Sequence, residues 1–231
     1  MQTTQVRLAS RPHGEPTADD FETTTVDLPP LEDGQVLLRV RYLSLDPYMR
    51  GRMSEAESYA APVALGEVMV GATVCEVVES RSNSRAVGDQ VLSYSGWQTH
   101  AIADARHTRR LDPDAAPVST ALGVLGMPGF TAYAGLLVLG KPQPGETVVV
   151  AAATGPVGSA VGQIAKLKGA RAVGIAGGPA KCQALLDEFG FDAAVDHRAP
   201  DFRELLAEAV PDGVDVYFEN VGGEVATAVA L

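Results

Sequence analysis

The chain has 231 residues, a formal net charge of −11 and a pI near 4.8. This length allows two modules or one large one, and the negative charge, with no local run of Lys and Arg, disfavours nucleic acid and anionic membranes as partners. No apolar stretch reaches the length of a membrane helix, and the first residues lack the apolar core of a secretory signal, so we expect a cytoplasmic protein.

The first half of the chain predicts a small antiparallel β-domain. From Val6 to about Ala103, short alternating or β-branched runs are cut by glycine and proline, which is typical of a barrel or sandwich. The clearest runs are residues 36–42, 68–78 and 90–94. A connector rich in proline and acid follows at residues 111–117, and we place the domain boundary at its end, giving domains of residues 1–117 and 118–231.

The second half predicts alternating strands and helices. Residues 118–139 are rich in Ala, Gly and Leu and predict a helix interrupted at Pro128-Gly129. From residue 147 the order is strictly β-α-β-α-β-α-β, which predicts an α/β fold with a doubly wound parallel sheet. The predicted strands are 147–152, 172–176, 193–196 and 214–218, and the predicted helices are 157–168, 180–189 and 202–210.

A glycine-containing turn joins the first of these strands to its helix. Residues 153–158, Ala-Thr-Gly-Pro-Val-Gly, stand where a dinucleotide-binding fold has G-x-G-x-x-G, with alanine in the first position. Gly155 would let the backbone approach a pyrophosphate, and Gly158 would let helix and strand pack closely. Tight turns need glycine whatever they bind, but the place between a buried strand and a helix N-terminus favours a Rossmann cofactor site over a plain turn.

Charge at the end of the second strand distinguishes NADP from NAD. An NAD site has a carboxylate there for the ribose 2′-OH, whereas residues 176–178 are Ala-Gly-Gly. Lys181 follows, and His197 and Arg198 come after the third strand, so space and cations for a 2′-phosphate are both present. A solvated Lys181 on a helix surface is the alternative, although a cation is slightly unfavourable in the first turn of a helix. The pattern predicts NADPH as the cofactor.

Five motifs follow one another along the chain, namely Leu45 to Met53, Gly126 to Tyr133, Ala153 to Gly158, Gly162 to Gly169 and Glu219 to Gly223. In this order they resemble the zinc-independent medium-chain reductases. The match is closest to the branch of prostaglandin reductases, leukotriene B4 12-hydroxydehydrogenase, plant double-bond reductases and curcumin reductase. The resemblance implies an N-terminal GroES-like β-barrel, a C-terminal Rossmann domain and NADPH-dependent reduction of the C=C bond in α,β-unsaturated ketones or aldehydes. A quinone reductase of the same fold and a non-catalytic nucleotide-binding fragment stay open as alternatives.

The resemblance also implies which residues bind the cofactor phosphates. Lys181 would pair with the 2′-phosphate. His197 stands where relatives commonly have a tyrosine that touches this phosphate, and the charge of an imidazole there would depend on pH. Asn220, at the end of the fourth strand, would contact the cofactor. The residues that would wrap the pyrophosphate are Gly155, Pro156, Val157 and Gly158.

The same resemblance places three residues near the reacting atoms. Met127 and Thr131 would lie near the nicotinamide, and Tyr48 would line the substrate pocket as the catalytic candidate. For Tyr48 and Met127, ordinary core packing explains the residue type equally well. Hydride would pass from the nicotinamide to the β-carbon of the enone, and the protein would stabilise the developing enolate oxygen with a donor.

The sequence offers no metal site and departs from the family at its end. Gly66-Glu67-Val68 stands where zinc-bearing relatives have Gly-His-Glu, and the four histidines lack ligand spacing. The chain ends at Leu231, whereas relatives continue with two more βα units, so the fourth strand is expected at an exposed edge. Such an edge favours aggregation or pairing with another chain, a homodimer for example. We expect the 231-residue chain to bind NADPH weakly and to reduce enones poorly.

Overall fold

A computed structural model describes residues 1–230 of the chain. The chain forms two compact units, Met1–Leu122 and Gly123–Leu231. The first unit contains antiparallel sheets, and the second contains a parallel sheet with helices. This confirms the predicted fold class. Over residues 1–230 there is no helix with the length and apolar character that crossing a membrane requires.

The first unit is built from seven strands in two antiparallel sheets. The strands are β1 (Gln2–Leu8), β2 (Phe21–Asp27), β3 (Gln35–Leu43), β4 (Thr73–Ser80), β5 (Gln90–Ser93), β6 (His100–Asp104) and β7 (Arg109–Leu111). β1 pairs with β2, and the other five strands have the order β6-β3-β4-β5-β7. Apolar side chains from three neighbouring strands form a fully buried core between them, as alternation along half-buried strands requires. They are Val36, Leu38, Cys75, Val77 and Val91.

Short helical segments connect these strands. One is the helix α1 (Tyr48–Arg52), and three are 3₁₀ turns at Ala18–Asp20, Ala105–His107 and Val118–Leu122. The last turn follows the proline-rich connector, and its Ala121 packs with Val74 and Leu111 of the first unit. The residues directly after the connector therefore contribute to the first unit's core.

The second unit alternates strands and helices. Its strands are β8 (Thr147–Val150), β9 (Arg171–Ala176), β10 (Ala193–Asp196) and β11 (Val216–Phe218), and its helices are α2 (Met127–Tyr133), α3 (Pro156–Leu167), α4 (Pro179–Asp187), α5 (Phe202–Ala209) and α6 (Gly223–Ala230). The strands are parallel and have the order β10-β9-β8-β11. This is the order that the doubly wound arrangement predicts, with β11 at one edge. All four residues of β8 are buried, as its apolar run predicted.

The segment before β8 differs from the helix predicted over residues 118–139, because residues 118–122 form a 3₁₀ turn and α2 begins only at Met127. The sequence indicated an interruption at Pro128-Gly129, but both residues lie in the first turn of α2. Proline fits there because the first helical N–H groups have no intrahelical partner. Glycine is needed at position 129 because a Cβ would lie 1.8 Å from the carbonyl oxygen of Val124. The helix then widens into a π-helical stretch, Ala134–Gly140.

Apolar side chains cover both faces of the parallel sheet. Val148 and Val150 belong to the cluster that includes α3, and Val149 belongs to the cluster that includes α5 and α6. The helix α3 approaches its neighbours so closely that a Cβ at Gly162 would lie 2.0 Å from the ring of Phe191. This packing holds the carboxyl ends of the strands at one edge of the sheet, where ligands bind in folds of this kind.

Candidate functional site

The turn between β8 and α3 is strained. Ala152 has φ 46°, a left-handed conformation that is uncommon for residues other than glycine. Its carbonyl oxygen accepts a hydrogen bond from the N–H of Gly155 at 2.9 Å. The turn therefore bends sharply back toward the helix and brings the backbone of residues 152–155 to the carboxyl edge of the sheet.

The two glycines of the turn have different surroundings. Gly155 caps the N-terminus of α3, and a Cβ there would meet only the carbonyl oxygen of Ala152, at 3.2 Å. A Cβ at Gly158 would lie 2.5 Å from the same oxygen and 2.8 Å from Cα of Ala153. Gly158 is thus required for packing between helix and turn, whereas Gly155 leaves space beside the unbonded N–H groups of the first helical turn.

The other two residues of the predicted pyrophosphate motif contribute to the helix. Pro156 is at the start of α3, where its fixed φ favours helix formation, and it lines a neighbouring groove of about 660 Å³ along α2 and α3. Val157 is half-buried and packs against the core cluster of the sheet. Their side chains support the turn rather than line the cavity described next.

A cavity of about 770 Å³ opens at the carboxyl ends of the parallel strands. Its walls come from the glycine turn, the end of β9, the residues after β10 and the loop after β11. Three cationic or titratable side chains line it, namely Lys181, His197 and Arg198, together with one acidic residue, Glu224. The cavity therefore holds a local excess of basic groups in a chain whose net charge is −11, which suits a phosphorylated ligand.

Gly177 provides the space in which two of these side chains lie. A Cβ at this position would be 2.9 Å from Nε2 of His197 and 2.9 Å from Nε of Arg198. His197 is also held by its backbone N–H, which donates to the carbonyl of Ala176 at 3.0 Å. The end of β9 thus carries no carboxylate, and the imidazole and guanidinium groups occupy the region where a side chain of residue 177 would project.

Asp196 fixes the backbone next to His197 and Arg198. Its Oδ1 accepts hydrogen bonds from the N–H of Gly178 at 2.8 Å and from the N–H of Arg198 at 2.9 Å. These backbone donors hold the pKa of the Asp196 carboxyl below its usual value. The carboxylate therefore joins the end of β9 to the end of β10. Its charge is stabilised by backbone N–H groups.

We expect Asp196→Ala to lower the midpoint of urea unfolding at neutral pH. Because the folded pKa is depressed below the ordinary 3.8, the stabilisation is fully present above about pH 4 and is lost as the pH falls through the folded pKa. The difference between wild type and variant should therefore narrow in urea titrations below about pH 4. A difference that stays constant down to acidic pH would contradict this role for the ionised carboxylate.

The remaining predicted residues lie elsewhere in their units. Among the described residues, Met127, Thr131 and Asn220 do not line the cavity. Thr131 donates its hydroxyl to the carbonyl of Met127 at 2.8 Å, within α2, and the side-chain N–H of Asn220 donates to the carbonyl of Ala151 at 2.9 Å. Asn220 therefore joins the loop after β11 to the glycine turn.

Tyr48 begins α1 in the first unit and is half-buried beside a cluster that includes Met49 and Met69. Burial, followed by the nearby Asp46 carboxylate, raises the pKa of its phenol. The hydroxyl therefore keeps its proton at physiological pH and can donate a hydrogen bond.

Several residues that line the cavity were assigned no individual role from the sequence. Phe202, at the start of α5, and Val221 and Gly222, after β11, line the cavity beside Glu224. Their only shared signal is position, because each follows the carboxyl end of a parallel strand, where ligand-binding residues of such sheets occur. Across residues 1–230, no three His, Cys, Asp or Glu side chains are grouped so as to hold a metal ion.

Both halves of the chain match families of known proteins. Residues 4–111 match a family model described as the N-terminal domain of oxidoreductase, and residues 156–231 match one described as zinc-binding dehydrogenase. The NADPH-dependent curcumin reductase of Escherichia coli (strain K12) is 57% identical over 222 residues, which are 96% of this chain and 64% of that protein. Prostaglandin reductase 1 of Oryctolagus cuniculus is 47% identical over 94% of this chain and 61% of that protein.

This chain spans a slightly larger share of two further relatives. The 2-alkenal reductase (NADP(+)-dependent) of Nicotiana tabacum is 40% identical over 98% of this chain and 68% of that protein. The crystal structure of CurA from Vibrio vulnificus in complex with NADPH superposes with a TM-score of 0.93 at 56% identity, over 98% of this chain and 67% of that one. The chain thus spans about two thirds of the length of these relatives. It belongs to the medium-chain dehydrogenases/reductases, in the branch of the prostaglandin and curcumin reductases.

Proposed function

We propose that the protein uses NADPH to reduce the C=C double bond of α,β-unsaturated ketones and aldehydes. Relatives whose names describe curcumin reductase, prostaglandin reductase and 2-alkenal reductase activities support this proposal. Because the chain spans 64% of the first of these proteins, the activity of the whole protein is inferred from them together with the cavity of the second unit.

The observation that carries the proposal is the composition of the cavity at the end of β9. Gly177 leaves room for the side chains of His197 and Arg198, which together with Lys181 line the cavity with N–H donors. A ribose 2′-phosphate needs both features, and a carboxylate at the end of β9 would repel it. The strained glycine turn and the N-terminus of α3 lie at the same cavity and suit the pyrophosphate. The residues present therefore fit NADPH.

In this proposal, each group has a separate task. Gly155 lets the pyrophosphate approach the backbone, while Gly158 keeps α3 close to the turn. Lys181 and His197 bind the 2′-phosphate. Met127 and Thr131 belong to the helix that would lie near the nicotinamide, which supplies the hydride when NADPH is bound. Residues 1–117 form the substrate domain, in which Tyr48 lines the substrate pocket and can donate a hydrogen bond.

The location and assembly of the protein belong to the same proposal. A net charge of −11 and the absence of a basic run support a cytoplasmic enzyme that acts on small molecules rather than on nucleic acid. We propose a homodimer as the assembly of the protein. Light scattering tests this assembly by measuring the mass of the native protein.

The activity is tested by following the loss of NADPH absorbance with methyl vinyl ketone as the substrate. We expect oxidation of NADPH that depends on the enone and is much slower when NADH replaces NADPH. If a quinone oxidises NADPH faster than the enone does, the protein is a quinone reductase instead. Binding of NADPH without any turnover of either substrate would identify a nucleotide-binding role, and no binding at all would overturn the proposal.

A further inference from the structure

The loop after β11 forms one wall of the cavity. Val221 and Gly222 line it, although they belong to no strand or helix. The backbone turns sharply here, since Gly222 and Gly223 both have left-handed φ values, 70° and 64°. Because this loop lacks the backbone hydrogen bonds of a helix or strand, other hydrogen bonds must hold its shape.

Glu219 supplies these hydrogen bonds. One oxygen of its carboxylate accepts from the N–H of Gly222 at 2.7 Å and from the N–H of Val221, and the other accepts from the hydroxyl of Tyr217. Burial raises the pKa of this carboxyl, but the donors from Tyr217 and the backbone outweigh burial and lower the pKa overall. The group is therefore ionised at neutral pH, and it gathers three donors around one charge.

A second contact connects the same loop to the turn after β8. The side-chain N–H of Asn220 donates to the carbonyl of Ala151, the residue before the strained Ala152. Glu219 shapes the loop, and Asn220 attaches the loop to the turn after β8. This hydrogen bond joins the loop to the turn in the absence of a ligand, which favours preorganised binding.

We propose that Glu219 is a positioning residue that holds Val221 and Gly222 in the shape that the nucleotide requires. It touches no ligand itself and acts through the two backbone N–H groups that it binds. This inference rests on the proposed function, because it assigns the cavity to NADPH. It adds a determinant of cofactor affinity that lies outside the glycine turn and outside the cationic side chains.

The chain offers a matched control at the other end of the same strand. Asp215 directly precedes β11, and its Oδ2 accepts from the N–H of Thr147 at 2.8 Å. Asp215 is thus a carboxylate that anchors β11 by a backbone hydrogen bond, as Glu219 does, but it is not among the residues that line the cavity. A purely structural effect of losing an anchoring carboxylate should appear in both variants.

The experiment compares Glu219→Ala, Glu219→Gln and Asp215→Ala in the full chain. The dissociation constant for NADPH is measured by fluorescence titration, and hydrogen exchange of the Val221 and Gly222 amides is measured without nucleotide. We expect Glu219→Ala to bind NADPH about tenfold more weakly, as for loss of a charged acceptor, and to exchange both amides faster. Glu219→Gln should stay within about twofold of wild type, because its side-chain oxygen can accept from both N–H groups. Asp215→Ala should keep wild-type affinity.

The outcomes separate this inference from the proposed function. Wild type that binds no NADPH overturns the proposed function and the inference with it. Wild type that binds NADPH, with Glu219→Ala binding equally well, overturns the positioning role alone. Equal loss of affinity in Glu219→Ala and Asp215→Ala also overturns it, because the effect would then be general destabilisation. Unchanged exchange of the Val221 and Gly222 amides in Glu219→Ala overturns it by a readout that needs no cofactor.

Discussion

Gly177→Asp is expected to reverse the cofactor preference of the protein. The backbone at residue 177 tolerates a side chain, since its φ is not left-handed and the nearest atoms are the movable ends of His197 and Arg198. The new carboxylate would repel a 2′-phosphate and could accept from an unphosphorylated ribose 2′-OH. Like charges in contact cost several kcal/mol, and about 3 kcal/mol corresponds to about a 100-fold loss of NADPH affinity.

The control for this prediction is Gly177→Ala. Alanine displaces the same imidazole and guanidinium ends without adding charge, so it should weaken NADPH binding less than aspartate and should leave NADH binding unchanged. Dissociation constants of both nucleotides, measured for wild type and both variants, check the prediction. If Gly177→Asp still prefers NADPH, the 2′-phosphate does not lie at the end of β9.

Gly158→Ala is expected to destabilise the second unit. Its Cβ would lie 2.5 Å from the carbonyl oxygen of Ala152 and 2.8 Å from Cα of Ala153, and both are backbone atoms that cannot rotate away. The helix α3 must therefore move from the sheet. Overpacking of this kind costs about 1–3 kcal/mol, measured as a fall in the free energy of unfolding by urea. Nucleotide affinity should fall as well, because the turn moves with the helix.

Gly155→Ala is the contrasting variant in the same turn. A Cβ there would meet one oxygen at 3.2 Å, which a shift of a few tenths of an ångström relieves, so the fold should lose less stability than in Gly158→Ala. The methyl group would nevertheless project toward the place of the pyrophosphate and should weaken NADPH binding. If Gly155→Ala leaves affinity unchanged, or Gly158→Ala leaves stability unchanged, the two glycines do not have the separate tasks described above.

Much of the second unit could be predicted from its sequence. Apolar runs that alternate with amphipathic helices specify a parallel sheet, and the glycine turn marks where a ligand approaches the backbone. The positions of Lys181 and His197 followed from counting residues past the strand ends, because the carboxyl ends of parallel strands meet at one edge. These signals are local in the sequence, and for that reason they could be identified without coordinates.

The hydrogen bonds that shape the cavity could not be predicted. Asp196 and Glu219 look like ordinary surface acids, but each follows or ends a strand and accepts from backbone N–H groups of nearby residues. Such turns depend on backbone torsions that composition does not specify. The position of α2 was missed for a similar reason. Pro128-Gly129 is typical of a break, and only the approach of the Val124 carbonyl shows why glycine belongs inside that helix.

The cations that follow β9 and β10 are expected to recognise a ribose 2′-phosphate. Titration of NADPH and NADH into wild type, Lys181→Ala and Lys168→Ala tests this recognition most directly. Lys168 lies at the end of α3 and does not line the cavity, so its substitution removes the same charge from a different place. We expect Lys181→Ala to lose about tenfold in NADPH affinity, about 1.4 kcal/mol for an exposed charge-assisted contact, with NADH unaffected and Lys168→Ala like wild type. Equal binding of the two nucleotides by wild type, or unchanged NADPH affinity in Lys181→Ala, would show that these cations do not recognise the 2′-phosphate.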